Sequence, residues 1–443
     1  MQTTASKKVI NGWAMYDWAN SVYNLVITTT FFPIYFAAVT ADKYGANSVP
    51  FLGREYVNTS LYDYSISVAY LIIALMYPIL TSIADTRGNK KQFMRFFCYL
   101  GAAGCSALFF FDIKNVSVGF GVFFFMLAAI GWAGSLVFYN SYLPEIAAPK
   151  DMDRISARGF SFGYVGSVIC QLIGFVLIIL MADAGEASRY TFLLVGIWWF
   201  AFAQITFKRL PKSIPSNQVH EKSFLTEGFH EMKKVYAQVT KLPVLKRFLR
   251  GFFFYSMGVQ TVMLAATLFG AKLLQLDQTK LILTAVIIQL VAILGAWGMA
   301  RLSARLGNIQ VLMGVVAFWI LICIGAFFTA EVKENGGDPE FLFYGLAVCV
   351  GLVMGGIQSL SRSTYSKLMP ETKDTASYFS YYDLTEKIAI VVGMFSFGFI
   401  EELTKDHGGM KNSVLSLIVF FFIGFIWLIS ALMKQKQLNK AIQ

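Results

Sequence analysis

Histidine is almost missing from this chain: three residues in 443, His220, His230 and His407, all in polar stretches between apolar runs. That argues against a histidine metal site. The five cysteines (Cys98, Cys105, Cys170, Cys323, Cys349) sit inside apolar runs with neither disulfide-framework nor metal-ligand spacing, and read as small core hydrophobes. No Gly-Lys-Ser/Thr run exists, so a nucleoside triphosphate is not the direct energy source. No nucleophile–base constellation appears either, so the sequence offers no catalytic residue, no metal and no cofactor. Charge is scarce as well. Only 14% of residues are charged against 56% hydrophobic, too little polar surface to cover a water-soluble protein of this length.

In place of those features stand apolar runs of roughly 20 residues, the length that crosses a bilayer core of about 30 Å. They predict spans at 13–39, 61–83, 93–111, 119–143, 158–182 and 191–207, then at 247–273, 280–300, 310–329, 341–366, 378–400 and 413–433. The polar start, Met1–Asn11, leads into a run without a small-residue cleavage site, so it reads as the lead into a first span rather than a removed signal peptide. With the N-terminus inside, segments at the inner ends carry 27 Lys and Arg against 9 at the outer ends, and Lys387 lies within a span. Both termini are therefore expected in the cytoplasm. The net charge of +11 follows from this asymmetry and from anionic lipid on the inner face, and needs no nucleic-acid partner.

The division is 1–207, a first six-helix bundle; 208–246, a cytoplasmic linker; and 247–443, a second six-helix bundle. In the linker Phe224, Leu225, Phe229, Met232, Val235, Tyr236 and Val239 recur at near-helical spacing, with Lys233 and Lys234 between them. That pattern fits an amphipathic helix on the inner membrane surface, or a buried connector helix. The halves echo one another. Ala84-Asp85-Thr86-Arg87-Gly88-Asn89 after span 2 faces Ser303-Ala304-Arg305-Leu306-Gly307-Asn308 after span 8, and Pro144-Glu145 after span 4 faces Pro370-Glu371 after span 10. Tyr16-Asp17-Trp18-Ala19-Asn20-Ser21 in span 1 faces Tyr255-Ser256-Met257-Gly258-Val259-Gln260-Thr261 in span 7. A parallel 6+6 repeat is one way to build two bundles that rock about a central site.

Thr81-x-x-x-Asp85-x-x-Gly88-x-Lys90-Lys91 resembles the loop motif of the major facilitator superfamily, with Thr81 where glycine is usual and Thr86 where a basic residue is usual. Four further stretches resemble its vacuole-effluxer-like branch, named for a yeast vacuolar amino-acid exporter linked to autophagy. They are Trp13 to Ser21 (WAMYDWANS), Tyr139 to Glu145 (YNSYLPE), Gln358 to Ser363 (QSLSRS) and Tyr381 to Lys387 (YYDLTEK). Where that branch often has Asn-Asp in span 7, this chain has Ser256-Met257. The resemblance implies an all-α polytopic membrane protein, twelve transmembrane helices in two six-helix bundles, with the major facilitator fold. It also implies a proton-coupled carrier of amino acids, working as an exporter. The short loops look bacterial, which places it in the inner (plasma) membrane.

A charged side chain deep in a bilayer costs about 2.5–3.5 kcal/mol, so each one asks for a reason. Asp17, Asn20 and Asn24 lie at i, i+3 and i+7 and form one polar stripe on span 1. Asp17 suits a proton or a substrate amine, or else a gating pair with Arg158 at the head of span 5. Trp132, Ser135, Tyr139 and Asn140 in span 4, and Tyr255, Ser256 and Gln260 in span 7, suit an amphipathic organic solute, though such groups also simply join helices. Gln358 and Arg362 lie four apart in span 10 among serines, a setting for a substrate carboxylate or merely an arginine at the inner end. Asp383, Glu386 and Lys387 open span 11, and Asp383 and Lys387 pair at i, i+4 or exchange partners during gating. Asp85, Arg87, Lys90 and Lys91 read as an inner gate. Gly159, Gly163 and Gly166 in span 5 read as a tight helix crossing.

The function that follows is secondary transport by alternating access of a small organic solute, with amino acids, protons and export favoured. The alternatives are a drug or metabolite, sugar or nucleoside transporter, and, further off, a membrane sensor on a transporter fold. The partners are a small-molecule substrate, protons and the lipid bilayer. One chain with both halves suffices as a monomer.

Overall fold

A computed structural model of the chain describes residues 3–45, 48–212, 215, 224–404 and 407–442, and these are almost entirely helical. Each expected span falls on one long helix. In the first half these are Lys7–Tyr44, Asn58–Arg87, Lys90–Ala107, Val118–Ser141, Met152–Leu180 and Ala184–Arg209. In the second they are Pro243–Leu268, Gln278–Leu306, Asn308–Glu334, Glu340–Leu368, Thr375–Leu403 and Met410–Ile442. Among the described residues ten helices are long and apolar enough to cross a membrane on that ground alone. The helices on expected spans 7 and 11 are not among those ten, and both carry polar side chains in mid-run.

The repeated loop motif has a backbone reason. Gly88 and Gly307 end spans 2 and 8 with φ of 63° and 92°, conformations that side-chain-bearing residues rarely adopt. Spans 6 and 8 start on aspartates. Asp183 accepts from the Gly185 and Glu186 amides, and Asp277 from the Lys280 amide.

Span 1 is not uniform. Between Lys7–Val22 and Phe32–Tyr44 it widens into a π-helix over Tyr23–Phe31. Pro33 has no N–H to offer the carbonyl of Thr28, five residues back. Tyr62 on span 2 donates its hydroxyl to that carbonyl instead. Between spans 1 and 2, Val49–Phe51 and Arg54–Tyr56 form a small antiparallel hairpin.

The chain falls into two compact units. The first consists of Ser6–Tyr142 and Phe162–Gly228. In it span 3 packs on spans 4 and 6, span 2 on span 4, and span 1 on span 6. Asp85 and Lys90, both almost fully buried, form an ion pair of 3.1 Å across the turn between spans 2 and 3. Lys91 donates to the Phe207 and Leu210 carbonyls, closing the last turn of span 6.

The second unit holds Met1–Ala5, Leu143–Ser161 and Phe229–Gln443. Its main packings are span 8 on span 10, span 7 on spans 11 and 12, and span 9 on span 12. The segment Leu143–Ser161 precedes the linker in the chain yet belongs to this unit, and its polar groups show why. Asp153 accepts from Lys367 Nζ at 2.5 Å, Asn308 Nδ2 at 2.7 Å and Ser303 Oγ at 3.0 Å. Glu145 accepts from the Thr375 hydroxyl at 2.6 Å. Ala157 packs against Ala296 and Ala300. In the loop before span 5, Asp151 accepts from the Thr4 hydroxyl and from Arg154, which hold its carboxyl below the usual carboxylate range. That contribution to stability is present above the ordinary aspartate pKa and is lost as the pH falls through the depressed one. Asp153→Asn is expected to loosen the segment about tenfold, on the order of 1.4 kcal/mol. Hydrogen exchange should show faster amides in 143–161 and unchanged ones in span 12; uniform protection in the variant would refute the pinning.

The linker contains a helix, Phe224–Lys241. Its described apolar face docks on protein: Val235 and Val239 are buried, and Tyr236 is exposed. Lys234 bonds Glu231 and lies 3.8 Å from Asp374, while Tyr378 donates to Gln238. Over this stretch the buried valines pack on protein, and the head of span 11 supplies matching polar partners. The side chains of Phe224, Leu225 and Phe229, together with residues 213, 214 and 216–223 (His220 among them), lie outside the described residues.

Candidate functional site

In the first unit the polar stripe of span 1 meets span 4 at one tyrosine. The Trp13 indole stacks on the Tyr139 ring with centroids 4.5 Å apart and donates Nε1 to the Tyr139 carbonyl at 3.0 Å. Tyr16 leans on the same ring at 5.2 Å. These contacts fix the phenol, whose hydroxyl donates to Asp17 Oδ2 at 2.7 Å. Asp17 is only 4% exposed. A bond to a carboxylate at this depth is a charge-assisted one, among the stronger side-chain hydrogen bonds.

Asn20, one turn beyond, is 1% exposed, and among the described residues neither of its amide atoms has a hydrogen-bond partner. Leaving such a group unsatisfied costs about 1–3 kcal/mol, so it calls for a partner that the described residues do not supply. Asn24, half-buried, stands at the start of the π stretch, and Asn140 is buried beside Tyr139 in span 4. Span 5 comes close enough to present no side chain of its own here. A Cβ on Gly163 would lie 2.4 Å from Ser21 Oγ, and one on Gly166 would lie 2.8 Å from the Trp18 carbonyl. The reading of these glycines as a tight helix crossing has its geometry at those two positions.

In the second unit the polar residues of spans 7, 10 and 11 converge. Gln260 Nε2 donates to Glu386 Oε1 at 3.2 Å, and Lys387 Nζ donates to Glu386 Oε2 at 3.1 Å. Tyr255 and Ser361 share a hydrogen bond of 2.7 Å between their hydroxyls. Gln358 donates to the Met263 sulfur at 3.3 Å. Arg362 is turned elsewhere. Its Nε donates to Ser156 Oγ at 3.0 Å, its Nη2 donates to the Ser156 carbonyl at 2.9 Å, and its guanidinium lies 4.2 Å from the centre of the Phe160 ring. These contacts tie the start of span 5 to span 10 and engage much of the fork that would otherwise hold a carboxylate.

Of the residues read as gating groups, Asp85 and Lys90 pair with each other, Arg87 is exposed at the end of span 2, and Arg158 is half-buried at the head of span 5. Asp383 is buried one turn before Lys387, and Lys387 meets its neighbour Glu386. Glu386 is the residue that spacing alone undervalued. Its charge in an apolar run was the signal, and the i, i+4 pairing of its neighbours drew attention away from it. Asp153, Ser156, Asn308 and Lys367 gave weaker signals still, since only the echo of Asn89 in Asn308 pointed at any of them.

The family described as "Vacuole effluxer Atg22 like" matches residues 5–441. The chain is 30% identical over 426 residues to the MFS-type transporter YxiO of Bacillus subtilis, covering 94% of this chain and 93% of that one. It is 24% identical over 465 residues to autophagy-related protein 22 of Saccharomyces cerevisiae, covering 90% and 87%. Its fold is shared with the Major Facilitator Superfamily transporter FucP, solved in the outward conformation, at a TM-score of 0.66 and 13% identity, covering 96% and 98%. The chain is an integral membrane protein that belongs to the Atg22-like vacuole effluxer family, secondary transporters on the major facilitator fold.

Proposed function

We propose that this transporter exports neutral, apolar amino acids, driven by protons, across a bacterial plasma membrane with both termini in the cytoplasm. The observation that carries the reading is the Asp17–Tyr139 contact. A buried carboxylate that accepts from a phenol, next to an amide with no hydrogen-bond partner among the described residues, can take up and release a single positive charge at a fixed place. A proton and a substrate ammonium are the two such charges an amino-acid exporter handles. Support also comes from the name of the family that the chain belongs to and from the Lys and Arg crowded at the inner ends. One chain holds both units, so the monomer is the working form.

Counterflow in proteoliposomes tests this. Vesicles loaded in turn with unlabelled amino acids, sugars or nucleosides are given the matching labelled solute outside. Leucine-class amino acids should accumulate severalfold over protein-free vesicles, and sugars and nucleosides should not. Accumulation of a sugar or nucleoside alone would replace the amino-acid reading with another carrier class.

A further inference from the structure

The ion pair in span 11 joins two consecutive residues of one helix. Neighbouring residues of a helix do not face one another, so a contact between Glu386 and Lys387 adds no stabilising turn-to-turn pair and joins no two helices. Spans 7 and 11 are linked at this level by the Gln260–Glu386 bond among other contacts, and a neutral acceptor would make that bond as well. Two opposite charges are nevertheless kept here. The Lys387 side chain is 4% exposed and that of Glu386 is 21% exposed.

The exposure of Glu386 is not toward lipid. The exposed apolar stripe of span 11 runs through Ile388, Phe395 and Phe399. Glu386 precedes Phe395 by nine residues, two and a half turns, and so stands on the opposite face. A partly accessible carboxylate and a buried ammonium, 3.1 Å apart on a face turned from lipid, suit a ligand bearing both signs side by side. A zwitterion whose ammonium and carboxylate hang on one carbon has that shape.

We propose that Glu386 and Lys387 hold the head group of the transported amino acid, its ammonium on Glu386 and its carboxylate on Lys387. This rests on the amino-acid reading above and names the residues that select the class. Opening the pair costs little when the ligand replaces each partner with a like charge. Asp383, four residues before Lys387 and so on the same helical face, keeps a carboxylate near the ammonium while the ligand enters. Gln260 stays as a donor to Glu386 Oε1 and fixes its orientation. Tyr255 and Ser361 add hydroxyls in the same bundle.

The test is competition against labelled leucine exchange by the full-length chain in proteoliposomes, with three competitors: leucine, 4-methylpentanoate (no ammonium) and 3-methylbutylamine (no carboxylate). Wild type should prefer leucine to either singly charged analogue by about 30-fold or more. In Glu386→Gln, leucine should weaken at least tenfold while 4-methylpentanoate is unchanged, so that discrimination between them collapses. Lys387→Gln should do the same with 3-methylbutylamine. The charge-swapped double variant Glu386→Lys/Lys387→Glu keeps the pair, and should regain part of the preference for leucine over both analogues. A leucine-dependent rise in thermal unfolding temperature in detergent, read on each variant, separates lost binding from lost fold. Equal weakening of all three competitors in folded single variants overturns the assignment. Leucine exchange by Glu386→Gln matching wild type overturns it while leaving the amino-acid reading intact, and absence of leucine exchange in wild type overturns both.

Discussion

Asp17→Asn is expected to abolish proton-driven accumulation of substrate while leaving exchange of substrate for substrate measurable. The amide keeps the shape of the side chain and can still accept from Tyr139, but it binds no proton, so inward and outward steps lose their link to the gradient. Coupled accumulation should fall about 100-fold, on the order of 2.7 kcal/mol, to the level of passive leak. Tyr139→Phe leaves the carboxylate and removes its donor. It should cost about tenfold, consistent with one hydrogen bond to a charged group. Measured side by side in proteoliposomes under an imposed pH gradient, the two variants separate proton carriage from orientation. If Asp17→Asn concentrates substrate as wild type does, the carboxylate is a packing group and coupling resides elsewhere.

Gly355→Val is expected to leave almost no folded protein. A Cβ at this position would lie 2.0 Å from the Ala292 carbonyl, and the reciprocal contact, Gly295 against the Leu352 carbonyl, is equally close. Backbone cannot yield as a flexible side chain does, so spans 8 and 10 must separate along their shared length. Overpacking of this kind costs about 3 kcal/mol or more, a large part of a protein's net stability. Gly398→Val in span 11, where a Cβ would meet nothing within 4 Å, is the control and should unfold at the wild-type temperature within a few degrees. Thermal unfolding in detergent, followed by tryptophan fluorescence, checks both. A folded Gly355→Val with wild-type stability would mean that the two helices do not cross this closely.

Much of this architecture was legible before any coordinates. Apolar run length located the helices, and Gly88 and Gly307 each announced a helix end, because a residue of positive φ leaves a glycine in the sequence. The stripe of Asp17, Asn20 and Asn24 was legible too, since helical spacing alone puts three polar groups on one face. What spacing could not give is partnership between distant elements. Tyr139 and Asp17 are 122 residues apart, and Arg362 and Ser156 are 206 apart. Nothing in either local pattern selects one match over the many other polar groups near the same depth. The π stretch was hidden for a related reason. Pro33 signals a missing N–H, but that Tyr62 answers the carbonyl it leaves open depends on how span 2 lies against span 1. The linker shows the limit of amphipathic pattern. A stripe of Val235 and Val239 reads the same whether it is to lie on lipid or on the head of span 11, and the polar partners that Asp374 and Tyr378 supply are not written in the linker's own pattern.

The pinned segment Leu143–Ser161 also sets a clock on biogenesis. Asp153 leaves the ribosome 214 residues before Lys367, the ammonium that answers it. At roughly 5–20 residues per second the interval is on the order of 10–40 s. Through that time six spans have been synthesised with Glu145, Asp153 and Ser156 still waiting for groups that do not yet exist. That segment therefore completes its assembly only when the second half arrives, and slowing translation within the second half prolongs the period in which an insertion chaperone, or a protease, finds it open.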